Sequence, residues 1–246
     1  MKDRATQLAS IVLLVAVWAL LARSVGGGGV VPGPADVVPD LMRIIPSGDF
    51  LVPLATTLSR TASGFSVAFL GGIAFGLVSA KSTLFRRSTA AIFGALLFAP
   101  ALAIIFLGIA MLGTNTASIT LITGLVVGPS VAIYMRDVLH DLDPGLLALA
   151  DSYKVGVAQR VRDVYLPYLI PPMLGTSRIA FSMSWKIVMI SEVFGFPGGL
   201  GFQIRIQYGI YNLSLLIAWL IVFVATLLVI EQLIRLTERL VVRWEA

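Results

Sequence analysis

Three ionisable side chains, Arg178, Lys186 and Glu192, stand inside the otherwise apolar stretch Tyr168–Phe196. A charged side chain at the centre of a membrane helix costs about 2.5–3.5 kcal/mol on insertion scales, so such residues face a bundle interior or a water-filled cavity. On a helix, Arg178 and Lys186 lie roughly 80° apart around the axis, and Lys186 and Glu192 roughly 120° apart in the other direction. The three therefore form no single ion-pair ladder. Two readings fit. In one, Lys186 and Arg178 line a route for an anionic solute, with Ser182, Trp185 and Glu192 of the same segment completing the pathway. In the other, Arg178 snorkels to the membrane interface and Glu192 pairs with another helix near the outer edge. Catalysis fits poorly. Ser184 and Lys186 are two residues apart, so their side chains diverge on a helix and make no nucleophile–base pair. Cysteine is absent and His140 is the only histidine, which leaves no metal cluster or histidine-based triad to expect. Gly76–Thr83, GLVSAKST, has the wrong glycine spacing for a phosphate loop and follows a span rather than a strand.

A second polar constellation lies between candidate spans. In the stretch from Arg136 to Pro172, Asp137, Asp143, Asp151, Lys154, Arg160, Arg162 and Asp163 crowd into a chain that is only 13% charged overall. Asp143-Pro144 is a helix start: Asp caps free N–H groups and Pro suits the first helical position. Leu146, Leu147 and Ala150 recur at helical spacing, Gly156 breaks the helix, and Val157–Tyr165 is a second short helix. Pro167, Pro171 and Pro172 are expected to interrupt the chain where it enters the next span. Interhelix loops are usually short, and a long one with its own helices is commonly functional. The segment of about 136–167 thus reads as a docking surface for a soluble partner.

The elements that position these groups are membrane spans. The chain has 246 residues, of which 58% are hydrophobic, far from the composition of a soluble domain. Stretches near the length needed to span lipid are Ala5–Ala22, Gly64–Ala80 with a possible start near Leu51, Thr89–Leu112, Ser118–Met135, Tyr168–Phe196 and Leu213–Ile234. Ala5–Ala22 resembles a signal peptide, but among equally apolar spans it is expected to stay uncleaved. Six spans put both termini on one side. With the termini inside, basic residues such as Lys81, Arg86, Arg87, Arg136, Lys154, Arg160 and Arg162 fall inside, against Arg23, Arg43 and Arg205 outside. That bias places the termini and the polar loop in the cytoplasm. It also accounts for the net charge of +5 without nucleic acid. Outside, the segment of about 24–50 holds a flexible break at Gly26–Gly29 and a short surface helix over Ala35–Ile45, limited by Pro34, Pro39 and Pro46. Phe194–Gly209 is expected to be irregular. Ala68, Gly72 and Gly76 share one face of the second span and suit close helix packing.

The stretch DPGLLALADSYKVGVAQRVRDVYLPYLIPP resembles the cytoplasmic Glu-Ala-Ala loop of ABC importer permeases. Aligned on Asp143-Pro144 and Leu166-Pro167, the family glutamate falls on Ala148, its two alanines on Leu149 and Ala150, and its glycine on Lys154. GVVPGPADVVPDL, LSRTASGFSVAFLGGIAFGL and RIAFSMSWKIVMISEVFGFPGGLG resemble further segments of permeases for nitrate, sulfonates and taurine. The resemblance runs from about Leu8 to Ile234. It implies an all-α, MetI-like permease of the bacterial cytoplasmic (inner) membrane, with one transmembrane domain over 1–246. It also implies a second permease copy, a homodimer in preference to a heterodimer, together with two ABC ATPase subunits that carry ATP and Mg, and an extracytoplasmic solute-binding protein. The coupling surface would comprise Ala148, Leu149, Ala150, Asp151, Ser152, Tyr153, Lys154, Val155, Gly156 and Arg160. Without the glutamate, either a charged contact to the ATPase is missing or Asp151 supplies it, and the turn at Lys154 would become helical. The implied solute is a small anion of the sulfonate, taurine, nitrate or small-carboxylate kind. A passive channel or a secondary transporter would need no such docking loop, and an intramembrane enzyme would need paired carboxylates, a Ser/Lys pair or a His cluster at matching depth.

Overall fold

The computed structural model describes residues 2–25 and 31–241, and every element within them is helical. The Gly26–Gly29 break and Arg243 lie outside the described residues. In chain order the elements are α1 (Lys2–Val25), α2 (Pro34–Ser47), α3 (Leu51–Lys81), α4 (Thr83–Phe98), α5 (Ala101–Leu112) and α6 (Thr116–His140). Then follow α7 (Pro144–Ser152), α8 (Val157–Arg160), a π-helical turn (Val161–Tyr165), α9 (Leu166–Phe194), α10 (Leu200–Gly209) and α11 (Leu213–Val241). Three of these, α3, α6 and α11, are each long and apolar enough to cross a membrane unaided.

The third expected span is two helices, not one. Pro100 has no N–H to continue α4, and it drives Ala99 to extended backbone at φ −66°, ψ 136°. The axes of α4 and α5 consequently meet at 102°. Counted as one bent crossing, the pair raises the number of apolar spans to four.

Helix α3 packs most extensively on α6, through a seam of small residues. A Cβ on Gly64 would meet Thr123, one on Gly72 would lie 2.6 Å from Val131 Cβ, and one on Gly76 would lie 2.8 Å from the Ala132 carbonyl oxygen. The expected packing face is therefore real, and it extends to Gly64. The partner positions rise together, 64 with 123, 72 with 131 and 76 with 132, so α3 and α6 run parallel. Helix α9 runs the other way beside α3: Thr57 meets Glu192, and the Phe65 and Phe181 rings lie 5.6 Å apart. On its far side the Trp185 ring stacks on Phe223 of α11 at 5.0 Å.

Proline disrupts less than its sequence positions suggest. Helix α2 runs through Pro39 and Pro46, longer than Ala35–Ile45, and it is no free surface helix. Its Val37 and Ile44 are buried, and Ser214 of α11 donates to the Asp36 carbonyl at 2.8 Å and to Asp40 Oδ2 at 2.7 Å. Pro167 likewise is accommodated at the start of α9, directly after the π turn, where the ordinary N–H ladder is already shifted. The residues bounding the π turn, Arg160 and Leu166, keep right-handed helical geometry. Val157–Phe194 is thus one uninterrupted helical path, and the expected separate helix over Val157–Tyr165 is its first part.

The glycine seam predicts a sharp contrast between neighbours. Gly72→Leu should lower the thermal unfolding temperature of the detergent-purified protein by an overpacking cost of about 1–3 kcal/mol. Gly71→Ala, with nothing within 4 Å of the added carbon, should leave it unchanged.

Candidate functional site

Glu192 stands one turn from the end of α9 and is fully buried. Such a carboxylate needs partners for its oxygens. Its Oε1 accepts from Arg60 Nη1 at 2.9 Å, and its Oε2 accepts from Thr57 Oγ1 at 2.8 Å and from the Gly201 backbone N–H at 3.0 Å. Arg60 also donates to the carbonyls of Gly198 at 3.1 Å and Pro197 at 2.7 Å. Thr57 Oγ1 in turn accepts from the Leu200 N–H at 2.8 Å. The glutamate and threonine so take up the first amide groups of α10, whose four initial N–H groups have no intrahelical acceptors.

The chain reaches this arrangement through Gly198 and Gly199, at φ 80° and 89°. A Cβ on Gly199 would collide with the Glu192 carboxylate. The irregular segment is confined to these few residues. Phe194–Gly209 is not irregular throughout, because the clasp initiates α10 at Leu200.

The five expected pathway residues divide into two groups. Arg178, Ser182 and Lys186 fall on one open face of α9, with Lys186 exposed and the other two half-buried. Arg178 lines a cleft of about 300 Å³ together with Ser130 and Tyr134 of α6 and Thr176 of α9. Trp185 and Glu192 do not reach that face. The tryptophan is enclosed in the α9–α11 core, and the glutamate is turned toward α3.

The loop helix α7 begins as expected, with Asp143 Oδ1 accepting from the Gly145 N–H at 2.7 Å. Its end differs from expectation. Lys154 adopts φ 52°, so the turn is left-handed rather than helical. The Val155 N–H reaches back to the Ala150 carbonyl at 3.0 Å, closing a Schellman-type cap with Lys154 at the position usually held by glycine. Asp151 is also engaged within the chain: its Oδ1 accepts from Arg160 Nη2 at 2.6 Å, which ties α7 to the start of the α8–α9 path. Ala150 is buried, whereas Ala148, Leu149, Ser152 and Gly156 are exposed and Val155 half-buried. Tyr153 is 76% exposed and Val157 81%, an apolar surface with no cover in the described chain.

Residues 72–243 match the family model described as the binding-protein-dependent transport system inner membrane component. The chain belongs to this family. It is similar to SsuC, an aliphatic sulfonates transport permease protein of Bacillus subtilis, with 24% identity over 94% of this chain and 84% of that protein. It is similar to the nitrate import permease protein NrtB of a Synechocystis strain, with 25% identity over 95% of this chain and 87% of that one. Among solved structures it resembles the MetNI methionine ABC transporter in an inward-facing conformation. The TM-score is 0.62 and the identity 21%, over 76% of this chain and 91% of that one. The fold is MetI-like, and the chain is a permease component of a binding-protein-dependent ABC importer.

Sequence reading missed Thr57 and Arg60 as partners of Glu192. The signal was present: Arg60 is a cation within a span, and the requirement that such a charge be paired points to the lone carboxylate of α9.

Two predictions follow from this geometry. Arg60→Met should destabilise the protein by about 3–5 kcal/mol, because it leaves a buried carboxylate unpaired. Adding Glu192→Gln should restore part of the loss, measurable as a positive coupling in a double-mutant unfolding cycle. At the loop, Lys154→Gly should relieve left-handed strain of about 1 kcal/mol. The Val155 amide would then exchange with deuterium several-fold more slowly.

Proposed function

We propose that this permease component forms the translocation pathway of an ATP-driven importer of a small anion, of the sulfonate, taurine, nitrate or small-carboxylate class. The observation that carries the coupling half of this reading is the exposed apolar surface of Leu149, Tyr153 and Val157, on a loop braced by Asp151 and Arg160. An ABC ATPase, carrying ATP and Mg, is the partner that fits a braced handle at the membrane surface. The open face of α9 supports the pathway half. Arg178 and Lys186 supply positive charge and Ser182 a hydroxyl, along a face left uncovered by the chain's own helices. A second permease copy opposite that face would enclose a route, and an extracytoplasmic solute-binding protein would load it. The sulfonate and nitrate relatives support the anion class.

In this reading 1–246 is a single transmembrane domain of the bacterial inner membrane with six crossings: α1, α3, the bent α4–α5 pair, α6, α9 and α11. The parallel packing of α3 and α6 supports it, because the chain between them must return to the side on which α3 began. The excess of Lys and Arg at the loop end then favours cytoplasmic termini.

Affinity purification of the tagged chain from its own cells should recover an ATP-hydrolysing subunit. Tyr153→Asp should reduce that recovery about tenfold or more, as expected for a buried interfacial aromatic. Lys186→Ala should lower anion uptake in reconstituted vesicles while leaving the ATPase bound. Recovery of a transporting chain with no ATPase would overturn the coupling assignment, and undiminished uptake by Lys186→Ala would overturn the pathway role.

A further inference from the structure

A small cavity of about 100 Å³ lies where α3, α4 and α6 converge, at the same end of the molecule as α7. Its polar lining comes from Ser79 of α3, Arg86 and Thr89 of α4, and Arg136 at the end of α6. Phe93 and Ala132 close it toward the apolar interior.

The polar groups there are incompletely used. Arg86 makes no side-chain hydrogen bond or ion pair among the described residues, although it is half-buried. Ser79 is only 5% exposed, lines the cavity, and its hydroxyl has no hydrogen-bonded partner among the described residues. Thr89 Oγ1 donates to the Phe85 carbonyl at 2.8 Å, which leaves its lone pairs. Arg136 engages Asp137 Oδ1 through Nε at 2.8 Å and Nη2 at 2.6 Å, which leaves Nη1. Asp137 is itself more than half exposed and offsets only part of the positive charge.

Two guanidinium groups and a buried hydroxyl around one small cavity match the donors a phosphate group requires. The surroundings add a second constraint. No residue of α4 is buried, and Ile92 and Phe98 on it are exposed, Phe98 to 90%. Acyl chains can therefore lie along α4 while a headgroup reaches the arginines, the arrangement by which basic pockets between membrane helices take up anionic lipid.

We propose that this cavity is a phosphate-binding site, occupied by the phosphodiester of an anionic phospholipid headgroup or by free phosphate. Arg86 is the principal ligand, Arg136 the second cation, and Ser79 the buried hydrogen-bonding group. The site is separate from the open face of α9 and does not depend on the solute assigned to it.

The test is native mass spectrometry of the detergent-purified protein, with whatever subunits co-purify, titrated with phosphatidylglycerol, phosphatidylcholine or sodium phosphate. The wild-type protein should retain phosphatidylglycerol about tenfold more tightly than phosphatidylcholine, or else bind inorganic phosphate. Arg86→Gln should weaken the preferred ligand about tenfold. Ser79→Ala, a small change that preserves packing, should weaken it about threefold. Arg87→Gln removes the same charge from the neighbouring exposed position and should change binding less than twofold. If phosphate binds the wild type and phosphatidylglycerol is held no better than phosphatidylcholine, the occupant is free phosphate; if phosphatidylglycerol is preferred and phosphate does not bind, it is the lipid. Equal losses for Arg86→Gln and Arg87→Gln would overturn the site in favour of diffuse surface attraction. So would a wild-type protein that discriminates neither ligand.

Discussion

The carboxylate of Glu192 has been taken wholly out of water, and much of the end of the molecule where α3 begins and α9 ends is arranged to make that tolerable. A buried ion pair gains little over a well-packed apolar substitute, but removing one partner is expensive, because the survivor is left without solvent. The pair therefore acts as a constraint more than as a source of stability. Thr57 and Arg60 must stay one helical turn apart on α3, and Gly198 and Gly199 must turn left-handed so that the carbonyls at 197 and 198 reach the guanidinium. The amides of Leu200 and Gly201 then complete the set. One interaction so fixes the contact of α3 with α9, the path of the connecting loop and the starting point of α10.

The glycine seam fixes the other half. Lipid gives helices no hydrophobic reason to associate, so close backbone approach must supply the contact. Gly64, Gly72 and Gly76 provide it along the middle of α3, and the seam is parallel. A parallel pair of helices separated by one connection obliges that connection to traverse the bundle. The bend at Ala99–Pro100 shapes this return: Phe93 of α4 meets Phe75 of α3 toward the loop end, while Gly108 of α5 sits against Ile122 near the start of α6. Neither half-helix is long enough to cross alone, yet together they carry the chain back.

Much of this was legible in the sequence. Hydropathy located the long helices, and the spacing of Ala68, Gly72 and Gly76 identified the packing face. The Asp143-Pro144 start located the beginning of the loop helix, but its end lies at Ser152, four residues before Gly156, which instead precedes α8. Proline was the least reliable guide. Pro100 broke a span that hydropathy joined, whereas Pro39, Pro46, Pro171 and Pro172 were accommodated within helices. The difference is contextual: a break needs the preceding residue to leave helical geometry, as Ala99 does before Pro100 and as Leu166 before Pro167 does not. Lys154 defeated a propensity argument in the opposite sense. A lysine in place of glycine suggests loss of the left-handed turn, but the Val155–Ala150 hydrogen bond holds the turn regardless. The partners of Glu192 were hidden because their separation of more than 130 residues leaves no local pattern. Only the rule that an intramembrane charge is paired could have joined them.

These constraints give α9 an unusual mechanical position. Its helical path starts at Val157, beside the exposed surface of α7, and ends just past Glu192, at the clasp. Asp151 and Arg160 brace the first end, and Arg60 with Thr57 holds the other. Between them lie Arg178, Ser182 and Lys186 on the open face. A rigid helix cannot absorb a displacement locally, and interfaces so packed are bistable rather than continuously deformable. The softest point along the path is the π turn at Val161–Tyr165, where the ordinary hydrogen-bond ladder is already interrupted. A push on α7 would therefore either be absorbed at that turn or reach the open face undiminished. Because Arg160 precedes the turn and Arg178, Ser182 and Lys186 follow it, the stiffness of those five residues would set how much of a movement at the loop arrives at the cations of α9.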